Sequence, residues 1–349
     1  MVPGGPGREL GGVCYPICSG SMSTEGNGWS WENSTTCLVD GSAPYQAGSA
    51  CTLGSSTPTG KFVGNITTRD AVDTSGKTFA NYWDQITPEN AGKWGNVQTT
   101  AGSAFNWAIL DAIYGYAEQH DLIFKQHTFI WGRFQPMGTL GEADVKNWME
   151  QFCSRYPNTP LIDVVNEPPP HTEPTYVNSI GGGTDGSWQW VINAFEWAHS
   201  ACPNSVLLLN DYNNIEWEGD SSHFLDIVKT VQAAGAPIDA IGAQAHDLDH
   251  QQVTFATVQS LLNRLHDETA LPIYITEMDI STSDDQAQLK KFQQYFPLFH
   301  QSPFVPGVTI WGWIYGQTWS EAPESGLIRN DSLRPAMTWL MQELGRPTN

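Results

Sequence analysis

The sequence predicts an α/β fold: a closed (β/α)8 TIM barrel preceded by a small disulfide-rich β module. Three observations carry that expectation. Eight short apolar runs suited to buried strands recur between Lys61 and Trp311. Stretches with apolar residues at i, i+3 and i+4 lie between them, as with Trp107, Leu110, Ile113, Tyr114 and Ala117. No Gly-rich phosphate turn follows the first run, so an open dinucleotide-binding sheet has no support. Strands alternating with helices over this length suit a closed barrel.

In chain order, residues 1–10 lack the apolar centre of a signal peptide and are expected to be expression-derived or linker residues. Residues 11–51 are expected to form the small module and hold four of the six cysteines, Cys14, Cys18, Cys37 and Cys51. Cysteines this dense, in a segment too small for its own core, point to disulfides and so to a secreted, extracellular protein. A zinc site competes, and the lack of paired Cys-x-x-Cys spacing weighs against it. Trp29 and Trp31 alternate, so a strand would turn both indoles to one side as a sugar-stacking platform; filling the small core is the plainer alternative. Residues 52–60 read as a flexible linker. The barrel takes 61–349, with strands expected at 61–66, 83–87, 123–131, 161–166, 206–210, 240–245, 272–276 and 308–311. Helical spacing marks 187–201, 225–234, 255–266, 286–296 and 335–344.

The ends of these strands carry the chemistry. The fourth is a buried apolar run that stops at Asn166-Glu167 before three prolines. A carboxylate delivered at a strand's C-terminal end is how a parallel barrel presents a catalytic acid, although a solvated Glu before a loop is the plainer reading. The other strand ends shift the balance. The second runs into Glu89-Asn90 and Lys93, and the third carries His127 and Trp131. The fifth ends in Asn210-Asp211-Tyr212-Asn213, and the sixth in Gln244-Ala245-His246. The seventh ends in Glu277-Met278-Asp279, and the eighth in Trp311, with Trp319 in the loop beyond. In a barrel all of them meet at one mouth.

Glu167 and Glu277 then face each other across that mouth. Paired carboxylates with aromatic walls suit glycosidic bond cleavage, in which one must be protonated and the other ionised. His246 is suited to orient the ionised one, with Asp279 a further acceptor nearby. Asn166 is suited to bond a sugar hydroxyl, and Glu89, Asn90 and Lys93 form a fork for several more. Trp131, Trp311 and Trp319 would form stacking walls. A satisfied core histidine is the alternative for His127 and for His246.

Composition agrees. Hydrophobic residues make up 40 % and charged residues 15 %, enough apolar content for a large core. The formal net charge of -21 argues against nucleic acid, heparin-like polyanions and anionic membranes, and suits a neutral substrate. No run of about 18 apolar residues could span a membrane. The 15 Trp exceed what a core alone asks for, although several must fill it.

Thr87-Pro88-Glu89-Asn90 with Lys93-Trp94, His127 with Trp131, Asp163-Val164-Val165-Asn166-Glu167-Pro168, Asn210-Asp211-Tyr212-Asn213, Gln244-Ala245-His246, Thr276-Glu277-Met278-Asp279 and Trp311-Gly312 occur in that order. Together they resemble the glycoside hydrolase family 10 xylanases over nearly all of the barrel. The resemblance implies a retaining endo-β-1,4-xylanase that cuts internal bonds of xylan and xylo-oligosaccharides by double displacement, as a monomer, with no cofactor and no metal. It implies Glu167 as acid/base and Glu277 as nucleophile, with His246 holding Glu277 and Asn166 at the sugar 2-hydroxyl. Glu89, Asn90, Lys93, His127, Trp131, Gln244, Trp311 and Trp319 match sugar-binding positions. Two places depart from many members: Gly132 stands where they have His, and residues 314–318 replace an Asp-containing stretch. Tyr15-Pro16-x-Cys18 followed by Gly28-Trp29-Ser30-Trp31-Glu32-Asn33 and Cys37 resembles a family 10 carbohydrate-binding module. That implies cellulose binding through Tyr15, Trp29 and Trp31. Cys153 and Cys202 follow the helices before strands four and five, where a disulfide and two buried thiols are both compatible with the sequence.

Overall fold

A computed structural model describes residues 6–10, 13–18, 29–32, 35–40, 46, 49–52, 61–184 and 186–348. Eight parallel strands close into a barrel. They are β1 (Phe62–Ile66), β2 (Gln85–Thr87), β3 (Ile123–Trp131), β4 (Leu161–Asn166), β5 (Val206–Asp211), β6 (Ala240–Ala243), β7 (Ile273–Met278) and β8 (Gly307–Ile310). Their residues are buried on both faces, as near-continuous Val, Ile and Leu runs require. β8 pairs with β1 from Gly307–Phe62 to Ile310–Asn65, which closes the ring. A Cβ on Gly307 would lie 2.1 Å from the Phe62 ring, so a side chain there would prevent that closure as built.

Helices α1 (Ala108–Gln119), α2 (Glu142–Arg155), α3 (Gln189–Ala201), α4 (Glu218–Ala233), α5 (Phe255–Thr269), α6 (Asp285–Gln301) and α7 (Pro335–Glu343) surround the barrel. Each turns one apolar face to the strands; on α1 it is Leu110, Ile113, Tyr114 and Ala117. Strict alternation fails once. Between β1 and β2 only the 3-10 turn Phe79–Asn81 is formed, and Phe79 and Trp83 pack there beside Trp313. Aromatic rings do the filling that a longer helix would have done. Trp83, Trp148, Trp190 and Trp313 are fully buried, so these indoles belong to the core and not to a ligand surface.

Two strand limits differ from the sequence reading in ways that matter. β7 runs on to Met278, so Glu277 sits on the strand, held by the ladder. β6 stops at Ala243, which leaves Gln244 and His246 on the loop above. Cys153 and Cys202 form a disulfide, with Cα atoms 5.4 Å apart.

Ahead of the barrel, Cys18 and Cys37 are joined by a disulfide. Residues expected as a lead-in or linker up to Leu10 instead include the strand Pro6–Leu10. It pairs antiparallel with Val13–Pro16 on one side and Ser49–Thr52 on the other, which satisfies both backbone edges. Trp29–Glu32 pairs with Thr35–Leu38. The side chains of Trp29, Trp31 and Tyr15, on which the cellulose platform rests, lie outside the described residues, as does the linker from residue 53 to 60. Leu38 is fully buried in an apolar cluster with Phe62, Leu161, Val206, Leu208, Ala240 and Tyr274, near the N-terminal ends of the barrel strands. Among the described residues, no helix is long and apolar enough to cross a membrane.

Candidate active site

At the C-terminal ends of the strands lies a cleft of about 560 Å³. Its walls include Glu89, Asn90, Lys93, His127, Trp131, Glu167, Gln244, His246, Glu277, Trp311 and Trp319. Asn166 and Asp279 lie directly behind, bonded to residues of that wall.

Glu277, carried by β7, is held from three sides. Asn210 Nδ2 donates to its Oε1 at 2.8 Å, and His246 Nε2 lies 3.3 Å from its Oε2. His127 Nδ1 lies 3.9 Å from Oε1. Burial alone would push this carboxyl up. Electrostatic interaction with His127 and the hydrogen bond from His246 outweigh it and hold the carboxyl at about 2. His246 is fixed in turn by Asp279 Oδ1 at 3.0 Å, and Asp279 Oδ2 accepts from Trp319 Nε1 at 2.7 Å. Burial pushes His246 down, but Asp279 and then Glu277 pull it well above the usual imidazole range. Two carboxylates thus share one imidazolium.

Glu167 is oriented by different partners. It follows β4 in a left-handed conformation, φ 50°, and its backbone N–H bonds the Asn210 carbonyl at 2.8 Å. Trp131 Nε1 donates to Oε2 at 2.8 Å and Gln244 Nε2 to Oε1 at 3.2 Å. Trp131 was expected only as a stacking wall; its indole N–H also positions the carboxyl. The ladder makes this reach possible. The register between β3 and β4 shifts between His127 and Ile130, which brings Trp131 opposite Asn166.

Asn166 sits between the two carboxylates. Its Oδ1 accepts from Asn210 at 2.7 Å and Gln244 at 3.2 Å, while its buried Nδ2 has no partner among the described residues. An amide held this way has its NH2 free to donate to a substrate hydroxyl. Asn210 is the hub: it also accepts from Thr276 Oγ1 at 2.6 Å. It fits because β6 places Gly242 against it; a Cβ there would lie 2.2 Å from Asn210 Oδ1.

The far end of the cleft follows from β2. Glu89 is buried and accepts from the Arg69 backbone N–H at 3.2 Å; burial raises its carboxyl. Lys93 Nζ donates to Asn90 Oδ1 at 2.9 Å and lies 5.0 Å from the Trp131 ring and 4.7 Å from Phe134. Burial lowers Lys93, with Glu277, Glu89 and Glu167 opposing. Trp311 stands edge-on to His127, ring centres 5.3 Å apart.

Several contributors were given no role of their own from sequence. Lys125 Nζ meets Asp163 Oδ2 at 2.5 Å, and His127 Nδ1 meets the same oxygen at 2.9 Å, all deep in the barrel. His127, Asp163 and Glu277 lie close enough to hold a cation, but the hydrogen bond from His127 to Asp163 accounts for that approach. The only sequence signal was a Lys two residues before His127, inside an apolar run. Asp163→Asn removes the carboxylate that buried Lys125 is paired with. It is expected to cost about 3–5 kcal/mol of stability. The urea midpoint at unchanged m-value measures it; a loss below about 1 kcal/mol would mean that the Lys125–Asp163 pair contributes little to stability. Beyond Glu167, His171 Nδ1 bonds Asp211 Oδ1 at 2.7 Å and stacks on Tyr212, 3.8 Å between ring centres. Burial pushes Asp211 up to about 7.

The two sequence departures have structural counterparts. A Cβ on Gly132 would lie 2.9 Å from the Glu173 backbone, so a His has no room while the loop after β4 lies where it does. Past β8, Trp319 reaches Asp279 from beyond the stretch 314–318.

Comparison with known proteins agrees with this geometry. The family model of glycosyl hydrolase family 10 matches residues 52–342. Over 288 residues, 80 % of the chain, the sequence is 43 % identical to Endo-1,4-beta-xylanase B of Cellvibrio japonicus (strain Ueda107), and it spans 45 % of that protein's length. Endo-1,4-beta-xylanase B of Thermotoga neapolitana is 28 % identical over 253 residues, 67 % of this chain and 71 % of that one. The solved GH10 structure from Paenibacillus barcinonensis superposes with a TM-score of 0.70 at 22 % identity, over 83 % of this chain and 96 % of its own, a likeness of fold. The barrel, its paired strand-end carboxylates and the matched span lead to one conclusion: the chain belongs to glycosyl hydrolase family 10.

Proposed function

We propose that the chain is a retaining endo-β-1,4-xylanase. The observation that carries this reading is the unlike treatment of two carboxylates in one cleft. Glu277 is ringed by cationic and amide donors that favour its ionised form. The Glu167 carboxyl oxygens instead accept hydrogen bonds from the neutral N–H groups of Trp131 and Gln244. That division suits double displacement. Ionised Glu277 attacks the anomeric carbon while Glu167 gives its proton to the leaving glycosidic oxygen. The bond to the leaving sugar breaks and a glycosyl ester on Glu277 forms. Glu167, now a carboxylate, takes a proton from water, whose oxygen attacks the same carbon and expels Glu277. Two inversions return the starting anomeric configuration. Asn166 Nδ2, buried without a partner among the described residues, is the donor proposed for the sugar 2-hydroxyl. Trp131, Trp311 and Trp319 supply flat faces for neighbouring sugars.

The xylanase relatives support xylan as the substrate. The two disulfides among the described residues support action outside the cell. Cellulose as ligand of the N-terminal segment rests on sequence resemblance alone. One experiment tests the reading: linear xylan is hydrolysed and the first product followed by proton NMR. The expected product is the β-anomer, with several chain lengths appearing together. A first-formed α-anomer would exclude double displacement. A higher initial rate on carboxymethyl-cellulose than on xylan would make the protein a glucanase.

A further inference from the structure

Arg133 stands apart from the other cations of the cleft. Lys93 is bonded to Asn90, His127 to Asp163, and His246 to Asp279 and Glu277. Elsewhere on the molecule, Arg155, Arg264, Arg329, Arg334 and Arg346 each pair with a carboxylate. Arg133 is exposed, lines the cleft, and has no carboxylate within ion-pair distance among the described residues. An unpaired guanidinium in a chain of net charge -21, lining the same cleft as Glu167, is a cation left for something else.

Its backbone is held as a platform. Gly132 abuts the Glu173 backbone without room for a side chain. Gly95 N–H donates to the Phe134 carbonyl at 2.5 Å, and Gln135 Oε1 accepts from Thr175 N and Oγ1 at 3.1 and 3.2 Å. Phe134 stacks on Trp131, ring centres 5.6 Å apart. The segment is thereby tied to the loop that follows Glu167. Tyr212 faces it: burial pushes that phenol up to about 12, with the charge of Arg133 among the opposing influences.

We propose that Arg133 binds the carboxylate of a uronic acid side branch on the polysaccharide, so that the enzyme favours acidic over neutral decorated backbones. The proposal rests on the xylanase reading and deepens it. A planar guanidinium can take a carboxylate with two parallel hydrogen bonds, which neutral branches cannot accept as strongly. The overall negative charge of the chain does not forbid it. Repulsion from distant carboxylates is screened within about 8–10 Å at ordinary salt, so the cation nearest the branch decides.

The test compares kcat/KM on a glucuronoxylan with that on the same polymer after chemical reduction of its carboxyl groups. The wild-type protein is expected to favour the acidic polymer by roughly fivefold, the scale of an exposed charge pair, and less at high salt. Arg133→Met is expected to bring the ratio to about one, mainly through KM, and Arg133→Lys to restore part of it. Each ratio is taken within one protein, so loss of folded material cancels. An unaltered ratio in Arg133→Met, or equal wild-type rates on both polymers, would make Arg133 an ordinary solvated cation and overturn the proposal. Failure of wild-type protein to cut even the reduced polymer would instead overturn the xylanase reading, and this one with it.

Discussion

Glu277→Ala is expected to lower kcat on xylan by about 10⁴- to 10⁶-fold, the span found when members of a catalytic unit are deleted from another hydrolase. The variant lacks the atom that would attack C1, and nothing nearby can replace it. Asn210 and His246 are donors aimed at a carboxylate that has gone, and Asp279 still occupies His246. Azide supplies a test of position as well as of loss. It fits the space left by the carboxylate and attacks from the same face. The product is then an α-glycosyl azide, inverted relative to the β-linked substrate. A variant within tenfold of wild type, or one giving only β-azide, would remove Glu277 from the nucleophile's place. The pH dependence of stability carries a second signature. The carboxyl is held at about 2 against an ordinary 4.5, so its contribution is fully present above 4.5 and is lost as pH falls toward 2. Wild-type stability is expected to fall across that window, and the Ala variant to fall less steeply there.

The barrel was legible because its strands are apolar on both sides, so each stands out as a run bounded by polar cargo. Glu167 and Glu277 could be paired from the chain because a parallel barrel brings all C-terminal strand ends to one mouth. The loop residues Gln244 and His246 followed from the same rule. What stayed hidden were contacts set by register and by absent side chains. Asn210 is the hub of both carboxylates, but on paper it is one of several polar residues at a strand end. Its place depends on Gly242 in the neighbouring strand, and a lone Gly does not announce which neighbour it clears. Lys125 lies within the third strand run and was given no role from sequence. Its meaning came only with Asp163, two residues beyond its ladder partner Leu161 in β4 and on the same face, a pairing fixed by three-dimensional register. Trp131 was read as a flat surface, which is how indoles meet sugars; its N–H toward Glu167 needs the shift in the β3–β4 ladder to be seen. No helical spacing was read between β1 and β2, where Phe79 and Trp83 pack against Trp313 from the far end of the barrel sequence in place of a helix.

Glu167→Ala is expected to slow xylan cleavage by about 10²- to 10⁴-fold, what a positioned general acid contributes. Ala is the cleaner variant here than Gln. Both carboxyl oxygens accept N–H groups, from Trp131 and Gln244, and a Gln side chain would turn its own NH2 against one of those donors. The defect should depend on the leaving group. A sugar alkoxide needs the proton, whereas a dinitrophenolate leaves without it. With a dinitrophenyl xylobioside the first step should therefore stay near the wild-type rate. The second step, in which Glu167 draws a proton from water, should become limiting and give a burst of phenolate followed by slow turnover. Azide needs no base, so it should relieve that second step and trap the intermediate as the β-glycosyl azide, opposite in configuration to the product from Glu277→Ala. The two variants thus separate the roles by product stereochemistry, independent of how much activity either retains. Equal losses on xylan and on the dinitrophenyl substrate, with no burst, would mean that Glu167 orients the sugar without transferring a proton.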